Sequence, residues 1–204
     1  FLQLLLLASA YLAKEFLTWD RNGRRAHIFN PSGFALAVTG LLLMLTGNVD
    51  LTYGLDLTWS FSLPPHFYEV IFLLGLVVQF LFSTTWITAG AAFTLWFLYG
   101  AAEWWLGTPL APQPFDPAVF LGLTLLVTDP VTSPRRPLSK FVFGVTYGCG
   151  IFVAYILLRL THQPSYFDKI IVVPFLNLMV PWCDSIADRL RIRWIALVGI
   201  PLPI

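Results

Sequence analysis

Long apolar runs limit what this chain can fold into more than any other feature. The twenty residues from Phe141 to Leu160 contain one charged side chain, Arg159, and a helix needs about 20 apolar residues to cross a bilayer. Of all 204 residues, 57% are hydrophobic and 11% are charged, whereas soluble domains have about 25% charged residues. A core built from a chain of this length cannot bury so much apolar surface. The sequence therefore predicts a polytopic integral membrane protein.

The apolar runs and the polar links between them predict an all-α fold, a transmembrane helical bundle of about seven or eight spans. The predicted spans are 1–18, 34–46, 67–82, 86–106, 118–127, 141–160 and 167–182, followed by a polar segment at 184–193 and an incomplete eighth span. Two of them, 34–46 and 118–127, are short, so we expect broken helices there. We expect two pseudo-symmetric membrane repeats, 1–106 and 107–204. Both ends of the sequence lie within apolar runs, which predicts a fragment of a longer protein.

Basic residues concentrate in alternate links, a pattern that orients membrane proteins with those links on the cytoplasmic side. The basic links contain Arg21, Arg24 and Arg25, then Arg135, Arg136 and Lys140, then Arg189, Arg191 and Arg193. The opposite links contain Asp50, Asp56 and Asp116, with Arg159 and Lys169 as the bases near them. The alternation predicts that residue 1 lies outside and that the links near residues 30 and 129 are cytoplasmic.

Two polar motifs in separate halves interrupt the apolar pattern at proline. Asn30-Pro31 with Ser32 precedes the second span, and Asp129-Pro130 with Thr132 and Ser133 follows the fifth. Proline removes a backbone donor and ends helices, and non-helical backbone in a membrane requires shelter by protein or by a water-lined cavity. Paired short segments of this kind indicate a binding site between repeats. These residues are therefore the candidate binding site.

Several strings in the sequence resemble the repeat signatures of one membrane family, the NqrB/RnfD family. Its members are membrane subunits of two redox complexes: NqrB of the sodium-translocating NADH:quinone reductase and RnfD of the Rnf electron-transport complex. The first-repeat strings are Lys14-Glu15-Phe16, Gly23-Arg24 and Ile28-Phe29-Asn30-Pro31. The second-repeat strings are Val127-Thr128-Asp129-Pro130-Val131-Thr132-Ser133, Phe143-Gly144, and Asn177-Leu178-Met179-Val180-Pro181 with Asp184. The Thr-Asp-Pro-Val-Thr-Ser string is the most specific of them.

The resemblance implies a multi-pass subunit of the bacterial inner (cytoplasmic) membrane that works with other subunits of an electron-transfer complex. Members typically carry flavin mononucleotide linked by a phosphoester to threonine in a Ser/Thr-Gly-Ala-Thr motif. The nearest match here, Thr88-Ala89-Gly90-Ala91-Ala92, lacks the acceptor threonine. Covalent FMN is therefore not expected, and the chain looks closer to shortened members without the attachment site. The expected cofactor is a non-covalent flavin (FMN or riboflavin) or a quinone.

The candidate cofactor-binding residues are Asn30, Ser32, Asp129, Thr132 and Ser133, and a structural interpretation stands beside the functional one. Asp129 is a functional carboxylate at membrane depth, or it caps the following turn and pairs with Arg135 or Arg136. In the functional interpretation, Asn30 and Ser32 bind the headgroup of a flavin or quinone. In the structural one, Asn30 satisfies backbone groups at the start of a helix.

Other polar residues have two interpretations as well. Arg135 and Arg136 receive a phosphate or an anionic lipid headgroup, or they only set the topology. His27 has no second ligand in view, so no metal site is expected. Gln79 and Asn177 lie within predicted spans, where we expect them to bridge helices by hydrogen bonds.

Three functions remain open at this point. The first is a membrane subunit of a redox complex that holds a non-covalent flavin or quinone where the repeats meet. The second is a flavin-free structural or scaffold subunit, which the missing acceptor threonine favours. The third is an ion or small-solute transporter, which the scarcity of carboxylates within the predicted spans disfavours. No nucleophile–base pair is present in the sequence, so no catalytic residue is predicted, and an enzymatic role is at most that of a non-autonomous subunit.

Overall fold

The computed structural model describes residues 2–21, 23–54, 56, 60, 63, 67–111, 119 and 121–198, and it is mostly helical, as predicted. In chain order its elements are α1 Leu2–Phe16, β1 Thr18–Arg21, β2 Arg24–His27, α2 Pro31–Thr46, a 3-10 turn Val49–Leu51, α3 Phe67–Phe82, α4 Thr85–Leu106, a π-helix Gly122–Leu126, α5 Pro137–Leu160, a 3-10 turn Ser165–Phe167, α6 Asp168–Leu178 and α7 Val180–Val198. Asp116, the side chains of Arg191 and Arg193, and the end of the eighth span at 199–204 lie outside the described residues.

The first basic link forms a β-hairpin rather than a loop. Strands β1 and β2 pair antiparallel, with Trp19 opposite Ala26. Gly23 at the turn has a φ of 73°, in the left-handed region that glycine adopts without steric cost. The hairpin connects α1 to α2. It is the one part of the described chain where strands replace the all-α pattern.

Length and composition make one described helix, α5 (Pro137–Leu160), a candidate to cross a membrane by itself. The segments Ser165–Leu178 and Val180–Leu190 pass the same test together, although they are bent by 66° relative to each other. Two apolar helices, Pro31–Thr46 and Glu69–Phe82, are shorter. The structure therefore supports an apolar helical protein in which, among the described residues, one helix, or two spans if the bent pair counts as one, could cross a membrane.

The predicted seventh span is not continuous, and the prediction of a polar link after it is wrong. Helix α6 ends at Leu178, Met179 donates to Leu176 O at 3.0 Å, and α7 runs without a break through the segment predicted as the link. Pro181 explains the break, because it has no N–H to continue α6 and restrains the residue before it. Proline is well suited to the first turn of a new helix.

Helices α4 and α5 form the most extensive helix pair and run parallel. Glycines allow the close approach: a Cβ on Gly144 would overlap the carbonyl oxygen of Ile87, and a Cβ on Gly148 would lie 2.8 Å from Cβ of Thr94. Further along both helices, the rings of Tyr99 and Phe152 are 5.2 Å apart. Later residues of α4 thus contact later residues of α5, so both helices begin at the same end of the molecule.

Helices α2 and α6, from opposite halves of the sequence, pack antiparallel. A Cβ on Gly33 would lie 2.9 Å from Cγ1 of Val173, and a Cβ on Gly40 would lie 2.7 Å from the ring of Phe167. The cost of a side chain at either glycine would be a clash with the facing helix. The two predicted repeats, 1–106 and 107–204, are therefore in direct contact.

The buried core lies between α4, α5 and α6. Its fully buried side chains include Ile87, Leu95, Phe143, Tyr147, Ile151, Val173 and Leu176. Large apolar side chains also cover the outer faces; Leu45, Phe80, Trp104 and Trp105 are 82–86% exposed. Soluble monomers rarely expose wide apolar surfaces.

Candidate functional site

Asn30 lies at the start of α2 and connects three segments of the chain. Its side-chain oxygen accepts hydrogen bonds from the Gly33 N–H at 3.1 Å and from the Ser32 hydroxyl at 2.8 Å. Its side-chain amide donates to the carbonyl oxygen of Leu126 at 3.0 Å. Asn30 is therefore the N-cap of α2, with Pro31 in the first helical position, an arrangement that stabilises helix starts.

Asn177, near the end of α6, joins the two proline motifs. Its side-chain oxygen accepts the backbone N–H of Asn30 at 3.0 Å, and its side-chain amide donates to the carbonyl oxygen of Thr132 at 3.3 Å. Asn177 is 3% exposed, so these bonds replace water that the buried backbone groups cannot reach. It bridges elements as predicted, and the Asn30 and Asp129 motifs meet at one buried junction.

Asp129 folds the segment that follows it. One carboxylate oxygen accepts from the Val131 N–H at 3.1 Å and the other from the Thr132 hydroxyl at 3.0 Å, which is the turn chemistry of an Asx-Pro sequence. The second oxygen also lies 3.6 Å from Nε2 of His27. Arg136 forms an ion pair with Asp188, so this one of the two arginines considered as partners of Asp129 is engaged elsewhere.

The five candidate cofactor-binding residues mostly build this junction. Asn30, Thr132 and Ser133 are buried, at 7%, 2% and 1% exposure. The polar atoms of the Asn30 side chain and the hydroxyl of Thr132 are engaged by protein partners. Only Ser32 of the five lines the large cavity described next. The polar groups of Asn30 and Thr132 therefore hold the neighbouring segments together and are not available to contact a ligand.

A cavity of about 990 Å³ lies between the two halves of the chain. Its walls are mostly apolar and come from α1, α2, α3, the π-helix and the start of α6; they include Ser32, Leu36, Ile71, Leu125 and Lys169. The volume is at the upper end of about 300–1,000 Å³ that is usual for small-molecule sites. A planar cofactor or an amphiphile with an apolar body has room here.

Further polar groups besides Ser32 line this cavity. The hydroxyls of Thr52 and Tyr166, both of which line it, are 2.8 Å apart. Lys169, a third lining residue, forms an ion pair of 3.1 Å with Asp168. The polar residues that line the cavity thus include Ser32, the hydroxyl pair of Thr52 and Tyr166, and Lys169.

The Asp168–Lys169 pair is a feature that the sequence interpretation missed. The two side chains are 2% and 5% exposed, and the Tyr147 hydroxyl donates to the Lys169 carbonyl oxygen at 3.0 Å. Because Tyr147 lies in the middle of α5, the pair is deep in the bundle rather than in an outer link. The sequence did contain a signal for this pair, because an acidic and a basic residue stand next to each other within the apolar run 167–182. Buried charges are retained when they are paired.

Arg135 and Arg136 lie beside a second cavity, of about 720 Å³. Its walls carry charges of both signs: Asp20, Arg135, Arg136, Asp184, Asp188 and Arg189. The guanidinium of Arg136 is paired with Asp188, and both side chains are about half exposed. Neighbouring carboxylates repel an anion, so this mixed-charge surface opposes the predicted phosphate or anionic-headgroup site more than it supports it.

The segment closest to a flavin-attachment motif is part of the helix interface. The Thr88 hydroxyl donates to the carbonyl oxygen of Leu123 at 2.9 Å. A Cβ on Gly90 would lie 2.5 Å from the carbonyl oxygen of Phe141, and Ala91 is fully buried. Thr88, Gly90 and Ala91 therefore pack α4 against the π-helix and α5.

Two further expectations concern His27 and Gln79. Among the described residues, no group of three His, Cys, Asp or Glu side chains is close enough to hold a metal ion. The Gln79 side chain is 1% exposed, and neither of its amide atoms has a hydrogen-bond partner in the described part of the chain. The expected hydrogen-bonded bridge from Gln79 is therefore not formed there.

Comparisons with models of protein families, with curated proteins and with solved structures give no match to this chain.

Proposed function

We propose that this chain is an integral-membrane subunit of a bacterial electron-transport complex, similar to members of the NqrB/RnfD family, that holds a non-covalent flavin or quinone. The observation that carries the proposal is the junction between the halves. Asn177 ties the Asn30 motif to the Asp129 motif, and a cavity of about 990 Å³ opens beside it at Ser32. The Asp129 motif contains the most specific string of the resemblance, and the Asn30 motif contains one of its first-repeat strings.

The proposed setting is a multi-pass arrangement of about seven or eight spans in the inner membrane. The apolar outer faces support it, because lipid is the solvent that accepts exposed side chains such as Phe80 and Trp104. In this setting Tyr147, ten residues into α5, lies about 15 Å along the helix, half of a hydrocarbon core of about 30 Å. The Asp168–Lys169 pair is then close to the bilayer midplane, where ionisable groups are costly and usually functional.

The residues around the cavity suit a non-covalent flavin or quinone. Ser32, the Thr52–Tyr166 hydroxyls and Lys169 would hold the carbonyl groups of such a ring, while the apolar walls would contact its body. The bound group would supply one-electron chemistry that no side chain here offers. The protein's own contribution is to exclude water and to fix the ring's orientation.

A scaffold subunit without cofactor is the second candidate. It is favoured by the number of polar groups at the junction that are already bonded to protein, including those of Asn30 and Thr132. Such a subunit would hold other electron-transfer proteins of the complex in position without carrying electrons itself.

The test is the cofactor content of the native protein, purified with its complex. We would measure flavin fluorescence in the supernatant and pellet after acid precipitation, and quinone after organic extraction. A variant, Leu36→Trp, fills part of the cavity, and Leu42→Trp is its control on the outward face of the same helix.

The redox proposal would be supported if Leu36→Trp lowers the amount of released flavin or extracted quinone and Leu42→Trp leaves that amount unchanged. Flavin that stays on the polypeptide would contradict the non-covalent assignment. If an intact complex yields neither flavin nor quinone, the scaffold function would be favoured over the redox function.

A further inference from the structure

The cavity of about 990 Å³ follows one face of α2. Ser32, Leu36, Thr39 and Gly40 all line it, and their spacing is that of residues on a single helix face. Between Ser32 and Gly40 this wall is about 12 Å long, at a rise of 1.5 Å per residue. The cavity is therefore long enough to hold a ring together with part of a chain attached to it.

Apolar lining residues at the outer surface open the cavity to the side. Leu36, Leu51 and Leu125 line it and are 40%, 61% and 49% exposed. Phe167 and Lys169 also line it and are 3% and 4% exposed. The cavity thus extends from the interior to an apolar part of the surface. In the membrane setting proposed above, that part faces lipid, so a molecule dissolved in the bilayer can enter here.

The charges around the cavity favour an uncharged ligand. Lys169 is the one charged side chain among the described residues that line it, and its ammonium lies 3.1 Å from the carboxylate of Asp168. Because the two charges offset each other, the pair offers little net charge to an anion. A phosphate group, such as that of FMN, would be costly to bury among the apolar walls without a counter-charge.

A chain of two hydroxyls provides a donor for an uncharged ligand. The Thr52 hydroxyl donates to the carbonyl oxygen of Val49 at 2.9 Å and lies 2.8 Å from the hydroxyl of Tyr166. A hydroxyl has one hydrogen, so Tyr166 is the donor in the bond between them. The Val49 oxygen also accepts the Thr52 N–H at 3.1 Å. It therefore keeps a partner if the Thr52 hydroxyl turns to donate to Tyr166 instead.

Tyr166 is held in position to use the hydrogen that this reversal releases. The ring of Phe167 lies 4.4 Å from its ring, and a Cβ on Gly54 would lie 2.7 Å from its Cε2. A phenol is more acidic than the hydroxyl of threonine and is the stronger donor. A hydrogen bond accepted from Thr52 would strengthen it further, because hydrogen bonds in a chain polarise one another.

We infer that Tyr166 donates to a ring carbonyl of a chain-bearing quinone that enters the cavity from the bilayer, while Thr52 donates to Tyr166. The inference rests on the proposed function and selects quinone over flavin within it. The carbonyl replaces Thr52 as the acceptor of the Tyr166 hydrogen, and the chain lies along the apolar wall. A flavin is disfavoured because its polar side chain is poorly soluble in the bilayer from which the cavity is entered.

The test uses the full chain in phosphatidylcholine nanodiscs with three probes: decylubiquinone, the same quinone ring without its decyl chain, and riboflavin. Probe that stays on the protein is counted by native mass spectrometry, and the carbonyl band of bound quinone is recorded by infrared difference spectroscopy. The variants are Tyr166→Phe and Thr52→Val. The matched control is Tyr11→Phe, at a tyrosine of α1 that is 60% exposed.

We expect Tyr166→Phe to weaken binding of decylubiquinone about twofold to tenfold, the effect of one neutral hydrogen bond, and to shift the carbonyl band to higher frequency. Its melting temperature without quinone should be unchanged, because Thr52 keeps its bond to Val49. Thr52→Val should keep most of the binding, since Tyr166 still donates. The ring without its chain should bind on the order of tenfold more weakly, because the apolar contacts of the chain are lost, and riboflavin should not be retained.

Three results would overturn the inference, and they differ in what they leave standing. Loss of binding in Thr52→Val but not in Tyr166→Phe would make Thr52 the donor. Retention of riboflavin in preference to decylubiquinone would reject the quinone and leave the proposed redox function supported. If the unaltered chain retained neither, the non-covalent cofactor of the proposed function would be rejected together with the role of Tyr166.

Discussion

The backbone N–H of Asn30 donates to the side-chain oxygen of Asn177 at 3.0 Å, across 147 positions of the sequence. The same side chain donates to the Thr132 carbonyl oxygen. One carboxamide therefore fixes the start of α2, the end of α6 and the turn after Asp129. Because Asn177 and both of its partners, Asn30 and Thr132, are buried, no water replaces the bonds if the side chain is lost.

Asn177→Ala is expected to destabilise the protein by about 2–5 kcal/mol, since it leaves an N–H and a C=O buried and unsatisfied. The measurement is the melting temperature in nanodiscs. Asn48→Ala is the control, because Asn48 is exposed and its side-chain amide donates to the carbonyl oxygen of Thr46, two residues away. Equal, small effects of both substitutions would contradict the junction's structural role.

The sequence allowed much of the helical framework to be predicted. The lengths of the apolar runs and the polar residues beside them gave the bounds of the predicted spans. The span 67–82 coincides with α3, and the span 86–106 differs from α4 by one residue. The break between α6 and α7 was not predicted, because a single proline, Pro181, does not change the hydrophobic pattern of an apolar stretch. Local backbone chemistry decided that boundary.

The candidate site was predictable only in part. Asn30 and Asp129 could be found because an Asx-Pro pair has local meaning. The role of Asn177 as their link, and the burial of Asp168 with Lys169, depend on how α2 and α6 pack. Helix packing joins residues distant in sequence, and no local pattern reports that Lys169 lines a cavity rather than an outer link.

Substitution of Asp129 separates a turn-capping role from a functional charge. Asp129→Asn keeps an acceptor oxygen for the Val131 N–H, so we expect stability close to that of the unaltered chain, whereas Asp129→Ala should cost about 0.5–2 kcal/mol, as loss of a cap does. Melting temperature and electron transfer by the purified complex are measured on both. Normal electron transfer in a stable Asp129→Asn protein would exclude a functional carboxylate.

The contact between Gly144 and Ile87 predicts a strict size limit at the α4–α5 interface. A Cβ at Gly144 would overlap the Ile87 carbonyl oxygen, so Gly144→Ala should lower stability by about 1–3 kcal/mol through overpacking. Gly100→Ala, within α4 and with nothing within 4 Å of its Cβ position, should instead raise stability by about 0.5–1 kcal/mol through helix propensity. Melting curves of the two variants would show shifts of opposite sign. A stable Gly144→Ala protein would contradict the close parallel packing.

The Asp168–Lys169 pair gives a prediction in which two substitutions are better tolerated than one. Asp168→Asn leaves a buried ammonium and Lys169→Met leaves a buried carboxylate, and either should cost about 3–5 kcal/mol, since removing one partner of a buried pair leaves an uncompensated charge. Replacing both, as Asp168→Leu with Lys169→Met, removes both charges and should recover most of that loss. The stability of all three variants is measured as the melting temperature in nanodiscs, and Asp50→Asn, at an exposed carboxylate, is the control.

If the double variant lost as much stability as the two single variants added together, the pair would not be coupled. If the unaltered protein is found to hold the proposed flavin or quinone, recovery of stability together with loss of that cofactor would assign the pair a role in the cavity beyond holding the helices.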